Sequence, residues 1–522
     1  MIIGEEIMSK VAKAAIGLMA ATLVAKVLGF GRELALASAY GASSVSDAFL
    51  VAMNIPAVIF TAIGTSLSTA FIPLYCDINT KNGKKASIKF TNNVFNIVVL
   101  ICLVLSLIGA IFTPQIVKLF AVGFEGETFK LAVYYTRVMI LGLSFLGMSY
   151  IMMAYLQVKE NFIIPGIMSV PFNIMIILSI LLSVKISPAL LPFGSLIGLL
   201  FQFLIQYPFA RKEGYRYKSY IDLKDEHLKR MIWLIAPVLI GVAVTQINTM
   251  VDRTIASTLV EGSISALNYA TKLNQFVMGM FIVSISSVVY PMLSKLSSEN
   301  NKEKFNKSII TSINTVVLLV IPVSIGAIIL ANPIVKLLFQ RGEFDARATQ
   351  MTAVALTFYS IGMIGYGLRD ILGKVFYSLQ DTRTPMVNGV IAMILNIVLN
   401  ILFVKFTNMQ LAGLAFATSI SALVTIALLF ISLRRKIGNF GGKSIALGMI
   451  KSLISGLVMA VVTLIVYNTV ANMIGSGFIK EAITLAVSVG VGAIVYCICI
   501  VILKVDEVNI ILNKVKEKIN RK

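Results

Sequence analysis

The sequence predicts an all-α polytopic membrane protein of about 14 transmembrane helices, two parallel six-helix lobes around a central cavity plus two extra C-terminal helices. Three observations predict it. The 522 residues are 58% hydrophobic and only 13% charged, where a soluble domain carries about 25% charged residues. Apolar runs of membrane-spanning length recur to the end of the chain, without the polar linkers that part soluble domains. One half of the chain also echoes the other at a fixed offset.

The expected spans are 11–40, 45–74, 87–112, 127–156, 162–184, 188–209, 229–258, 264–295, 305–331, 348–379, 384–404, 410–433, 449–471 and 479–503. The first continues as a full helix without a small-residue cleavage site, so it reads as a span and not as a cleaved leader. Cys76, Cys102, Cys497 and Cys499 fall in or beside spans with no metal-like spacing. His227 is the single histidine, which excludes a multi-histidine metal site. The longest connection, Arg211 to Arg230, mixes both charge signs and reads as cytoplasmic helix or turn. No P-loop, Gly-x-Ser-x-Gly or HExxH pattern is present, so the chain reads as neither an enzyme nor an ATP-driven pump, and no cofactor is expected.

Net charge is +21. On a soluble protein that excess would suggest nucleic acid. Here it is partitioned: with the N-terminus placed inside, 29 Lys and Arg fall on the inner side and 8 on the outer. That bias puts both termini in the cytoplasm and removes nucleic acid from the expected partners. The tail "KVDEVNIILNKVKEKINRK" is basic and partly amphipathic, and is expected to lie on anionic inner-leaflet lipid.

"IGAIFTPQIVKLF" (108–120) resembles "IGAIILANPIVKLLF" (325–339), and at an offset of 218 Ala52 matches Ala270, Pro73 matches Pro291 and Lys118 matches Lys336. "AYLQVKENFIIP" (154–165) echoes "KVFYSLQDTRTP" (374–385). A repeat of six spans is even, so both copies face the same way, and transport sites lie between such copies. The expected lobes are 1–222 (spans 1–6) and 223–440 (spans 7–12). Spans 13 and 14 (441–503) stand outside the repeat, followed by the tail, 504–522.

An ionisable residue deep in a span costs several kcal/mol unless paired or hydrated. The first lobe offers Lys26, Arg32, Glu33 and Asp47; the second offers Asp252, Arg253, Lys272, Arg369, Asp370 and Lys374. The basic excess fits a hydrated cavity for an anionic headgroup, with arginine and lysine as pyrophosphate partners. Arg32, Asp47, Lys272 and Lys26 are the favoured cavity residues. Arg137, Lys374 and Lys451 read better as helix stitching or as side chains reaching the interface, and Arg369–Asp370 is balanced between the two. Gly29 and Gly31 mark a bent first helix or a close packing contact. Those two glycines, with Glu33, Gln275 and Arg253, are the gating or ion-pair candidates. "QINTMVDR" puts Asn248 and Asp252 on one helix face. With Asn388 or Asn396 they form a candidate Na⁺ site, with polar helix glue as the alternative.

Four stretches carry a family resemblance: "KVLGFGRELALASAYGASSVSDAFLVA", "VDRTIASTLVEGSISALNYATKL", "LLFQRGEFDARATQMTAVALTFYSIG" and "FYSLQDTRTP". From about residue 12 to 435 the chain resembles the MurJ/MviN family, bacterial lipid II flippases of the MOP exporter superfamily. The resemblance implies movement of undecaprenyl-pyrophosphate-linked peptidoglycan precursor from the inner to the outer leaflet by alternating access. It implies roles for Arg32 and Asp47 and, with lysine replacing arginine, for Lys26 and Lys272. It places Asp252 at a carboxylate implicated in sodium binding. Two positions depart from it. Span two has the apolar "AVIF" (57–60) where the family often has an arginine, and Gln275 stands where an acid often follows the span-eight base.

The leading expectation is therefore a lipid II flippase of the bacterial cytoplasmic membrane, driven by membrane potential or an ion gradient. Its expected partners are lipid II, membrane lipids and cell-wall synthesis or division proteins, and it is expected to be a monomer. The alternatives are a flippase for another polyprenyl-linked oligosaccharide and a non-transporting cell-envelope scaffold. Export of a small organic cation would want an acidic cavity, against the basic excess.

Overall fold

The computed structural model describes residues 2–299, 301–475, 477–505 and 507. Most of the basic tail therefore lies outside the described residues. The chain divides into two compact units, residues 1–265 with 341–344, and residues 266–340 with 345–522. The seventh expected span packs along the second, so it belongs to the first compact unit.

In the first unit α1 (Ile2–Tyr40) is helical through both Gly29 and Gly31. α2 (Ser44–Ile111) holds expected spans two and three in one element, broken only at Gly83, whose φ of 77° suits a residue without a Cβ. The expected polar loop between those spans is thus largely helical. Then come α3 (Thr113–Phe120), α4 (Gly126–Ile140), α5 (Leu143–Val158), α6 (Ile163–Ile167), α7 (Ser169–Lys185), α8 (Leu191–Leu204), α9 (Tyr207–Lys212) and α10 (Glu226–Ala256). α2 packs on α4, α5 and α10, and α1 lies along α6 and α7. The core joins Phe60, Phe71, Tyr75 and Phe90 of α2 to Met152 and Tyr155 of α5.

Between α9 and α10 the chain is an extended strap over 215–222, flanked by turns at 213–214 and 223–224, where the stretch Arg211 to Arg230 was expected to be helix or turn. Three asparagines of α2 hold it by its backbone. Asn92 Nδ2 donates to Arg216 O (2.9 Å) and its Oδ1 accepts from Lys218 N (3.1 Å). Asn93 bonds both N and O of Asp222, and Asn96 Nδ2 reaches Lys218 O and Tyr220 O. A side-chain amide, with one acceptor and one donor edge, serves the strap as a neighbouring strand would.

The second unit comprises α11 (Ser263–Ser298) from Ala266 onward, α12 (Lys302–Ile329), α13 (Ala331–Phe339), α14 (Ala346–Ile361), α15 (Met363–Ser378), α16 (Arg383–Phe406), α17 (Gln410–Ile437), α18 (Gly442–Ile474) and α19 (Phe478–Ile502). Its core runs through Leu293, Val316, Leu372 and Phe376. α18 and α19 dock on α12: Tyr496 Oη donates to Leu318 O (3.0 Å), and Asn314 Nδ2 donates to Glu507 (2.6 Å). Lys336 of α13 pairs with Glu481 of α19 at 2.6 Å.

The repeat reappears as matched geometry inside each unit. Expected spans four and ten are each broken, α4 to α5 by 44° and α14 to α15 by 43°. The bends fall at Gly142 and Gly362. A Cβ on Gly142 would stand 2.6 Å from Leu199 Cδ1, and one on Gly362 would stand 2.7 Å from Ser419 Cα; the two glycines, and the two residues they face, are each 220 residues apart. The turns that follow α5 and α15 also match. Glu160 and Gln380 have φ of 60° and 57°, and the next amides, of Asn161 and Asp381, reach back to Leu156 O (3.0 Å) and Phe376 O (2.9 Å). These are Schellman-type helix ends with non-glycine residues in the left-handed position.

Eight described helices are long and apolar enough to cross a membrane, or up to ten if each bent pair is one span. All fourteen expected spans fall on helix, and spans one, two, seven and eight lie outside that count. Those four carry Lys26, Arg32, Glu33, Asp47, Asp252, Arg253 and Lys272.

Gly362→Ala should destabilise by about 1–3 kcal/mol through overpacking against a backbone that cannot retreat; thermal unfolding of the detergent-solubilised protein checks this. A second prediction concerns pH. The Lys436 ammonium, 2.5 Å away, and the Thr384 amide hold the Asp381 carboxyl down at about 2. A depressed carboxylate stabilises fully above its unfolded value, near about 4, and loses that contribution as pH falls through about 2. The melting-temperature gap between wild type and Asp381→Asn should therefore stay constant from about pH 8 to about pH 5 and narrow only below about pH 4.

Candidate functional site

α1 runs parallel to α7. Arg32 meets Asn173, and nearer the end Tyr40 Oη donates to Ser183 Oγ (2.8 Å). Arg32 Nη1 donates to Asn173 Oδ1 at 3.2 Å, and Nη2 pairs with Glu33 Oε1 at 2.5 Å. Asn173 is fixed by its own Nδ2 bond to Ser169 O (2.9 Å). Glu33 is buried and Arg32 only 13% exposed. Glu33 is thus Arg32's partner in this conformation, and the guanidinium still has N–H groups beyond the two engaged here. Asn173 was not a sequence candidate. Its signal was available, as a lone amide in the apolar run "VPFNIM".

Gly29 faces the same amide: a Cβ there would stand 3.8 Å from Asn173 Nδ2, and one at Gly31 would meet open space. Lys26 is exposed. Six residues before Arg32, it lies about 9 Å along the helix and about 120° around it. The structure therefore brings Gly29 and Arg32 onto Asn173, with Glu33 on Arg32, and leaves Lys26 on another part of α1.

Asp47 was expected in a headgroup cavity. It is 4% exposed, and both carboxylate oxygens take backbone amides: Oδ2 from Gly262 N at 2.9 Å and Oδ1 from Ser265 N at 2.7 Å. Those amides begin α11, where helix N–H groups lack partners and the dipole favours an anion. In return Glu261 Oε1 accepts from Ser44 N, the start of α2, at 2.7 Å. Each helix is capped by an acid from beside the other. Asp47 and Ser265 are 218 residues apart, the offset of the repeat, so Asp47 binds the amide of its own counterpart. The neighbouring turns close tightly. Glu343 N donates to Ser38 O (2.9 Å), Gly123 N donates to Ser257 Oγ (3.0 Å), and a Cβ on Gly262 would stand 2.3 Å from Ala42 O. Asp47 thus holds backbone, not ligand, in this conformation.

On α10, Asn248 Nδ2 donates to Asp252 Oδ2 at 3.4 Å, and Arg253 Nη1 donates to Leu50 O of α2 at 3.4 Å. Asn388 and Asn396 lie in the second unit, buried against α17: their amides reach Ser432 Oγ and Thr418 Oγ1, each at 3.3 Å. Asn400 Nδ2 adds a bond to Asn396 Oδ1 at 3.1 Å. That is helix glue between α16 and α17. Lys272 is half-buried on α11 and Gln275 is exposed. Arg137 and Lys451 bind backbone carbonyls of Ala110 and Lys504, the stitching expected of them.

Asp47→Ala should cost about 1–3 kcal/mol for each buried amide it orphans. Asp47→Asn, which keeps an acceptor, should lose less. Melting temperatures of the two variants check the order; equal stability of both with wild type would remove Asp47 as the cap.

Residues 36–485 match the family described as lipid II flippase MurJ. The chain is 30% identical over 509 residues to a probable lipid II flippase MurJ of Vibrio cholerae, covering 94% of this chain and 96% of that one. It is 28% identical to a lipid II flippase MurJ of Burkholderia cenocepacia, over 80% of this chain and 82% of the other. Among solved structures, a lipid II flippase MurJ in an inward closed conformation superposes with a TM-score of 0.80 at 28% identity, over 94% of this chain and all of the other. An inward-facing MATE transporter of the MOP superfamily shares the fold, with a TM-score of 0.69 at 14% identity over 82% of this chain. With the match to the family running through both units, this chain belongs to the lipid II flippase MurJ family.

Proposed function

We propose that this protein carries lipid II, the undecaprenyl-pyrophosphate-linked disaccharide peptide, from the inner to the outer leaflet of the bacterial cytoplasmic membrane. The family match along nearly the whole chain carries the reading. The role is transport, in keeping with a family of flippases.

Arg32 is the residue we assign to the pyrophosphate. A diphosphate offers paired oxygens to the guanidinium fork, and it would displace Glu33 from Arg32. Asn173 would hold the guanidinium in place during that exchange. Lys26 and Lys272 add positive charge without arginine's bidentate geometry. Asp47 would act in gating. While it caps α11 the outer end of the first unit stays closed, and alternating access requires it to release Gly262 and Ser265. We assign the driving force to membrane potential or an ion gradient, with Na⁺ at Asn248 and Asp252 as the candidate coupling ion. The basic loops put both termini inside. The protein would work as a monomer, in contact with cell-wall synthesis or division proteins.

The apolar "AVIF" and Gln275 favour one second reading, transport of another polyprenyl-linked oligosaccharide. Depletion in the native host with a leaflet-resolved lipid II assay separates the two. Outer-leaflet lipid II should fall, and Arg32→Ala should fail to restore it at normal expression. Normal outer-leaflet lipid II with no redundant flippase active would refute lipid II as cargo. Repeating the assay with the potential collapsed, or without sodium, reads the coupling.

A further inference from the structure

Within the second unit, α11 and α15 meet in a ladder with one rung per turn. A Cβ on Gly367 would stand 3.2 Å from Ile282 Cδ1. One turn on, Ser286 Oγ donates to Asp370 Oδ2. One turn further, Lys374 Nζ sits 5.6 Å from the centre of the Tyr290 ring and 6.0 Å from that of Tyr377. Beside the middle rung, the Arg369 guanidinium lies 5.6 Å from the Tyr366 ring. Arg369 and Asp370 are exposed, and Tyr290 and Tyr377 are 40% and 41% exposed.

The fold does not need these charges. Shifted by the repeat offsets of 218 and 220, the same contact in the first unit joins α2 to α5. There Tyr150 occupies the place of Asp370, packed on Gly64 and 5.5 Å from the Phe60 ring. Ala154 stands for Lys374 and is buried, Ile72 for Tyr290, and buried Ser149 for Arg369. One copy closes this interface with apolar and small residues; the other places three ionisable groups in a span, where each costs several kcal/mol unless it meets water or a polar ligand. Interfacial reach does not account for them all. Asp370 stands eight residues, about 12 Å, before the end of α15, and its side chain is short.

We infer that the Arg369–Asp370–Lys374 ladder, with Ser286, Tyr290, Tyr366 and Tyr377, is a second headgroup subsite, one that takes the saccharide–peptide part of the substrate. This rests on the transport of lipid II proposed above. The two cations suit carboxylates, the free edge of Asp370 suits hydroxyl and amide donors, and the exposed tyrosine rings suit the C–H faces of a sugar. The pyrophosphate is left to Arg32.

The test measures binding by the purified full-length protein of two lipids: lipid II, and undecaprenyl pyrophosphate without saccharide or peptide. Wild type should bind both. Arg369→Gln combined with Lys374→Gln should weaken lipid II binding by about tenfold or more, and undecaprenyl pyrophosphate by less than about twofold. Asp370→Asn should act in the same direction. Lys374→Ala, which installs the residue of the first unit, should keep the wild-type melting temperature and still lose lipid II affinity selectively. Equal losses for both lipids, or none, would overturn the subsite while leaving the transport reading intact. Wild-type protein that binds neither lipid would instead strike at the transport reading and take the subsite with it.

Discussion

A carboxylate buried at the start of α2 must be satisfied, and the end of the first unit is arranged to satisfy it. Asp47 meets two amides that no helix bond serves, at the positive end of α11. Glu261 returns the same service to α2. An acid with both oxygens committed to backbone fixes position more firmly than an apolar contact does, since any slip leaves buried N–H groups bare. The start of one repeat's second helix is thereby set against the start of the other's. The turns at Ser38, Ala42, Gly123 and Ser257 have no room to drift from that register.

Much of this architecture was legible in the sequence. All fourteen apolar segments are helical, and the echoes at 108–120 and 154–165 correspond to matched elements. The alignment marked "AYLQVKENFIIP" and "KVFYSLQDTRTP" as equivalents; it did not announce that Glu160 and Gln380 sit in the left-handed region, because neither is a glycine. The breaks at Gly142 and Gly362 were hidden for a related reason. A glycine in an apolar run looks the same whether it bends a helix or admits a neighbour, and here Leu199 and Ser419 crowd the site. The extended strap at 215–222 was not legible because its partners, Asn92, Asn93 and Asn96, lie more than a hundred residues away.

The candidate site was legible as a set of charges and less so as a set of roles. A charge in a span announces that it matters without saying what it touches. Arg32 has an acid and an amide beside it, whereas Asp47 is turned inward onto backbone. The polar residues also divide by kind. Asn388, Asn396 and Asn400 join α16 to α17 by neutral bonds, while the ionisable groups gather on α1, α2, α10, α11 and α15. Neutral amides can be buried once bonded; charges need a partner or water as well.

The strap between α9 and α10 has an evolutionary consequence. Asn92, Asn93 and Asn96 hold the strap mainly by peptide groups, which the backbone offers whatever residue is present, while the side chains of Tyr215, Tyr217 and Asp225 add a bond each. The asparagines are therefore constrained, and much of the segment they hold is not. Lys218 engages the anchor through its main chain, so its side chain can change in length or sign without loosening it. A surface of this kind can change its charge while the helices beneath stay as they are.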